Sequence, residues 1–198
     1  LVERLRGGDP TALADLFDFY RPRLRQMVRL RMGPATAARF DPSDVLQEAF
    51  LDAARQIDGY LKQQQVPVYI WLRSLTWERL IKLLHRHLGA GCRSALREMT
   101  LPDDSEAALA ERLFDPAASP GHELLRQELR QRVRRALAAL KPDDAEVILM
   151  RHFEGMSNRE VALALGLSDA GASVRHGRAL LRLKALLDAD PLTRGDSP

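Results

Sequence analysis

Apolar side chains return every third or fourth residue along almost the whole of this chain, and no stretch alternates apolar with polar for long. That spacing excludes a sheet as the organising element and leaves helices packed on helices. Composition points the same way, because Ala, Leu and Arg abound while the β-branched Val, Ile and Thr are sparse. Local punctuation then places the helices. Asp9-Pro10-Thr11 reads as a cap and first turn, followed by Leu13, Leu16, Phe17, Tyr20, Leu24, Met27 and Val28 at helical spacing. Asp41-Pro42-Ser43-Asp44 is a second start signal, with Val45, Leu46, Ala49, Phe50 and Ala53 behind it and an expected end near Asp58-Gly59. Tyr60 to Val68, which holds three glutamines and Pro67, is expected to be a loop. A further helix is predicted from Tyr69 to about Leu88, on the pattern Ile70, Leu72, Leu75, Leu80, Leu83 and Leu84.

The periodicity then breaks. Gly89 to Gly121 carries Gly89, Gly91, Pro102, Pro116 and Pro120 together with Asp103, Asp104, Glu106, Glu111 and Asp115. A connection that long is uncommon inside one compact domain, so two domains are expected. The predicted organisation is all-α: a first small helical domain at 1–90, an acidic linker at 91–123, a second domain at 124–190 with a helix-turn-helix, and a disordered tail at 191–198. The chain is 198 residues long, 45% apolar and 29% charged, which is the balance of a soluble globular protein. No apolar run reaches the roughly 18 to 20 residues that span a bilayer, and Leu1-Val2-Glu3-Arg4 lacks the basic-then-apolar order of a secretion signal. A single cysteine, Cys92, forms no internal disulfide, so a reducing compartment, the cytoplasm, is expected.

The best-specified motif lies in the second half. Ser157 with Glu160 three residues on predicts a capping box, Gly166 suits a left-handed turn, Ala162 is small where a second helix must cross closely, and Ser168 can cap that second helix. A short capped helix, a Gly turn and a longer basic helix is the pattern that places a helix in the major groove of DNA. Ala172, His176, Ala179, Leu183 and Leu186 share one stripe of that helix, which should face inward. Arg175, Arg178, Arg182 and Ala185 form a neighbouring stripe able to meet phosphates or base edges. From Ala170 to Leu187 there is no acid.

In the first half, Asp41, Asp44, Glu48 and Asp52 fall along one helix face. Di-iron bundles need Glu-x-x-His pairs, and no Glu here has a His three residues later, while His85 and His87 point to different faces. The acidic row is therefore read as a solvated face or a docking surface for a basic partner, with no metal or cofactor. Tyr60, Tyr69, Trp71 and Trp77 sit in or beside the predicted loop, with Arg73, Arg79, Lys82 and Arg86 close behind. Aromatic faces interleaved with cations are a means of holding unstacked bases, although Trp71 is expected in the core.

Across nearly its whole length the chain resembles the extracytoplasmic-function (ECF) branch of bacterial sigma-70-type RNA polymerase sigma factors. Asp41 through Phe50 is similar to that family's polymerase-binding helix, Tyr60 with Trp71-Leu72-Arg73 to its melting loop and the helix behind, and Leu140 through Leu183 to its upstream-element domain. The resemblance implies that Asp44, Gln47, Glu48 and Phe50 face the polymerase core. It implies that Tyr60, Trp77, Arg79, Lys82 and Arg86 serve the −10 element, and Arg151, Ser173, Val174, Gly177 and Arg178 the −35 element, beside Arg175 of the basic stripe. The implied partners are core polymerase and promoter DNA, with an anti-sigma protein left open. No enzyme activity and no small-molecule substrate are implied. Two other readings of the residues remain: a stand-alone helix-turn-helix regulator, and a helical interaction module.

Overall fold

The computed structural model describes residues 1–88 and 123–189. Most of the expected linker, Cys92 and the expected tail lie outside the described residues. Throughout the described residues the regular structure is helical. The chain divides into two compact units, Leu1–Thr100 and Leu101–Pro198.

In the first unit the order is α1 (Val2–Arg6), α2 (Ala12–Leu30), α3 (Pro34–Ala37), α4 (Pro42–Gln63) and α5 (Val68–Leu88). The Asp9 carboxylate accepts from the Thr11 N–H at 2.9 Å, which sets the turn into α2 as its sequence suggested, and Arg4 Nε donates to the same carboxylate at 2.8 Å. The short α1 has no counterpart in the sequence reading. Asp41 accepts from the Ser43 N–H at 2.7 Å with Pro42 in the first turn, so α4 starts where its signal stands. α2, α4 and α5 then pack face to face. Leu16, Phe17, Leu24, Met27 and Val28 meet Val45, Leu46, Ala49 and Ala53 and, from α5, Leu72, Leu80 and Leu84, all buried. Each Val, Leu, Phe or Met side chain among these contributes about 1.5 to 3 kcal/mol by leaving water, and each Ala less.

One expectation is overturned here. α4 does not stop at Gly59 but continues to Gln63, and its end is set by Gln64 in the left-handed region at φ 35°. Gly inside a helix costs only about 1 kcal/mol. The extra turn buries Tyr60, whose ring stacks on Trp71 at 4.3 Å between centroids and 11° between planes. Burial of one aromatic ring outweighs one glycine, and Tyr60 is a helix residue.

The second unit runs α6 (Glu123–Ala139), α7 (Pro142–Ile148), α8 (Asn158–Leu165) and α9 (Asp169–Ala189), with α7 widening into a π turn at Leu149–Phe153. Here the local signals hold in detail. The Ser157 N–H donates to Glu160 Oε2 at 2.7 Å and the Glu160 N–H to Ser157 Oγ at 3.2 Å, so both halves of the capping box are made. Gly166 closes α8 at φ 64°, a conformation that side-chain-bearing residues rarely adopt. Ser168 Oγ accepts from the Gly171 N–H at 3.0 Å at the start of α9, and Asn158 Nδ2 donates to the Asp169 carbonyl at 2.7 Å, tying the two helix starts together. Ala162 and Ala172 are buried where α8 and α9 meet. Along α9, Ala172, Ala179, Leu183 and Leu187 are buried and His176 and Leu186 half-buried, against Val133 and Leu137 of α6 and Ala145 and Ile148 of α7.

Candidate nucleic-acid and protein interfaces

Because one stripe of α9 is held in the core, its opposite stripe must face outward. Ser173, Val174, Gly177 and Arg178 are all exposed, Val174 at 51%. Arg175, Arg178 and Arg182, spaced by three and four residues, align on that side. They line a groove of about 790 Å³ whose other wall is the start of α7, including Lys141, Asp143 and Asp144. Arg175 Nη1 stands 3.8 Å from Asp143, a loose exposed pair, whereas Arg182 Nη1 donates to Asp144 at 2.5 Å. Arg178 has no ion pair among the described residues. A cation-lined groove beside an exposed helix face is suited to a phosphodiester backbone. Arg151 differs from these, since its Nη1 donates to the Met156 carbonyl at 2.5 Å and braces the turn that leads into α8. The two acids opposite the arginines escaped the sequence reading, which treated α9 as an acid-free face.

In the first unit α4 presents Asp44, Gln47 and Glu48 to solvent. Phe50, expected on the same docking face, is half-buried and meets Phe17 edge-on at 5.3 Å, so it joins α4 to α2. Leu51 and Phe19 are exposed instead, at 52% and 66%, and went unremarked because neither lies on a core stripe. The acidic row is not uniform either. Asp52 is buried and holds Arg79 of α5 by a two-pronged contact through Nε and Nη2, while Arg79 Nη1 reaches Glu48 at 3.3 Å. Arg79 thus ties α4 to α5.

Tyr60 and Trp77, expected as DNA contacts, are likewise engaged internally. Tyr60 is 8% exposed, and its hydroxyl donates to the Val66 carbonyl at 2.9 Å, which fixes the frame of the loop at 64–67. Burial pushes the Tyr60 phenol pKa up. Trp77 packs on the cluster of Met27, Val28, Met32, Val45, Leu80 and Leu84, with the Arg31 guanidinium 5.4 Å from its ring centroid. Lys82, in a 3.9 Å pair with Glu78, and Arg86 are exposed cations of α5. Among the described residues no three metal-ligating side chains gather, and no helix is long and apolar enough to cross a membrane.

The Asp52–Arg79 pair carries a pH dependence. Its hydrogen bond from Arg79 holds the Asp52 carboxyl below the ordinary carboxylate range. The stabilisation is therefore full above about pH 4, the value for a free carboxyl, and is lost as pH falls through the lowered folded value. Asp9, pulled down to about 2 by the Thr11 N–H and hydroxyl, and Asp41, held low by the Ser43 N–H, add the same trend as a background. Urea midpoints of the wild type should fall more steeply below about pH 4 than those of Asp52→Asn, which keeps the background alone. Equal acid sensitivity of the two proteins would contradict the assignment.

Comparison with known proteins adds names to this geometry. Residues 130–183 match the family described as Sigma-70, region 4, a span containing α7, α8 and most of α9. The chain is 29% identical over 157 residues to the probable RNA polymerase sigma factor RfaY of Xanthomonas campestris pv. campestris, which covers 78% of this chain and 36% of that one. It is 26% identical over 184 residues to the ECF RNA polymerase sigma factor SigD of Mycobacterium tuberculosis, covering 93% and 81%. With the ECF RNA polymerase sigma-E factor of Escherichia coli the identity is 28% over 162 residues, covering 82% and 79%. The chain thus spans about a third of the first of these relatives and about four-fifths of the other two. Among solved structures it is similar to CnrH in complex with the cytosolic domain of CnrY, at TM-score 0.58 and 26% identity, covering 95% of both chains.

Proposed function

We propose that this chain, which is similar to extracytoplasmic-function sigma factors of the sigma-70 type, directs core polymerase to specific promoters and assists their opening, with no catalytic chemistry of its own. The observation that carries this reading is the second unit's capped α8, its left-handed turn at Gly166 and the outward cationic stripe of α9. α9 enters the major groove of the upstream element, where phosphate contacts supply affinity and Arg175 and Arg178 orient the helix over base edges.

The first unit divides its work between two helices. Asp44, Gln47 and Glu48 on α4 dock on a basic surface of the polymerase core. Lys82 and Arg86 on α5 follow the backbone of the downstream element. Extruding a base costs a few kcal/mol, which seating it against a protein surface offsets by about 1 to 3 kcal/mol. In this reading the loop at 64–67 receives the base and Tyr60 supports that loop from beneath. That CnrH was solved in complex with the cytosolic domain of CnrY supports a further protein partner for this chain, and an anti-sigma protein is the partner proposed. The cytoplasm, where the polymerase works, is the place of action.

Co-elution with purified core polymerase tests the docking face. Wild-type chain should elute with the core, and Asp44→Arg, which reverses one exposed charge without touching a packed residue, should elute separately while retaining its helical circular dichroism. Co-elution of Asp44→Arg at the wild-type level would overturn this placement.

A further inference from the structure

Asp143 and Asp144 are neighbours in sequence, both stand at the start of α7, and both face arginines of α9. Their environments nevertheless differ. The Asp143 side chain is 79% exposed and 3.8 Å from Arg175, a pair whose worth in water is close to nothing. The Asp144 side chain is 7% exposed and accepts from Arg182 Nη1 at 2.5 Å. Arg182 is itself 51% exposed and lines the groove, and no other partner for it occurs among the described residues, so Nη1 is pinned while its other donors are left unengaged.

The geometry points to Asp144 as a positioning residue for promoter recognition. A buried carboxylate clamps Arg182 so that its free donors lie where a phosphate of the upstream duplex passes, one helical step beyond Arg175 and Arg178. This rests on the proposed entry of α9 into that duplex. An arginine side chain has many rotamers, and ordering it before DNA arrives removes that cost from binding. The inference opposes simple electrostatics, under which removing either acid from a DNA-facing groove should tighten binding. It therefore predicts a loss of binding for one of two adjacent substitutions and none for the other.

The test uses reconstituted holoenzyme and duplex fragments selected by the wild-type holoenzyme from a random-sequence pool, with affinity read by fluorescence anisotropy across a KCl series. Asp143→Asn should bind as tightly as wild type or tighter. Asp144→Asn should bind roughly fivefold more weakly at moderate salt, with the slope of log affinity against log salt smaller by about one, the signature of one lost phosphate contact. Partial unfolding would weaken binding but leave that slope unchanged. Asp144→Asn combined with Arg182→Gln should be no weaker than Arg182→Gln alone, and Asp144→Glu should recover most of the wild-type affinity. Wild-type or tighter binding by Asp144→Asn, an unchanged slope, or losses that multiply in the double variant would each overturn the proposal. If Arg178→Ala weakens binding while Asp144→Asn does not, only the positioning role fails. If Arg178→Ala, Arg182→Gln and Asp144→Asn all bind normally, the promoter-binding reading of α9 fails with it.

Discussion

Tyr60→Ala is expected to destabilise the first unit by about 3 to 5 kcal/mol, the usual cost of deleting a buried aromatic ring. The substitution removes the ring stacked on Trp71 and with it the reason for the last turn of α4. It also leaves the Val66 carbonyl without its hydroxyl donor. Tyr60→Phe keeps the stack and loses only that bond, at about 0.5 to 1.5 kcal/mol. Urea denaturation of the two variants should separate these effects cleanly. Permanganate footprinting adds a second readout, in which Tyr60→Phe opens a promoter nearly as well as wild type. If Tyr60→Ala were as stable as wild type yet failed to open DNA, the ring would be a free platform for bases, contrary to its burial.

Arg178→Ala is expected to weaken binding of the upstream element by about 1 to 3 kcal/mol, or roughly 5- to 150-fold, if its guanidinium meets a base edge. Nothing in the fold depends on that side chain, which is exposed and without an ion pair among the described residues. Stability and co-elution with core polymerase should both be unchanged. Anisotropy on duplex fragments measures the loss, and repeating it on base-substituted fragments shows whether specificity relaxes at one position. Loss of polymerase in the co-elution assay would mean that α9 serves a protein and not DNA.

Features decided within a few residues could be read from the sequence. The Asp41 cap, the box between Ser157 and Glu160 and the left-handed Gly166 are each settled by short-range hydrogen bonds or backbone sterics, and each stands in the structure as expected. Features that depend on partners far along the chain could not be read. Asp52 looked like one more member of an exposed acidic row, but Arg79, 27 residues away, draws it into the interior. Arg79 in turn looked like a free cation. Asp144 and Arg182 lie 38 residues apart, so nothing local hints that they are joined. Gly59 misled for a related reason, since the local preference to end a helix was outweighed by the contact between Tyr60 and Trp71. Aromatic and cationic residues near a loop were read as a binding surface, yet Tyr60, Trp77 and Arg79 are the joints between α4, α5 and the core. Lys82 and Arg86 remain at the surface of the same helix.

Run-off transcription with purified core polymerase and fragmented genomic DNA tests the whole account most directly. Adding the wild-type chain should yield discrete transcripts from a small set of start sites that core polymerase alone does not use, and Asp44→Arg or Arg178→Ala should reduce them. Absence of any new transcript, alongside tight duplex binding by the chain without polymerase, would contradict the account.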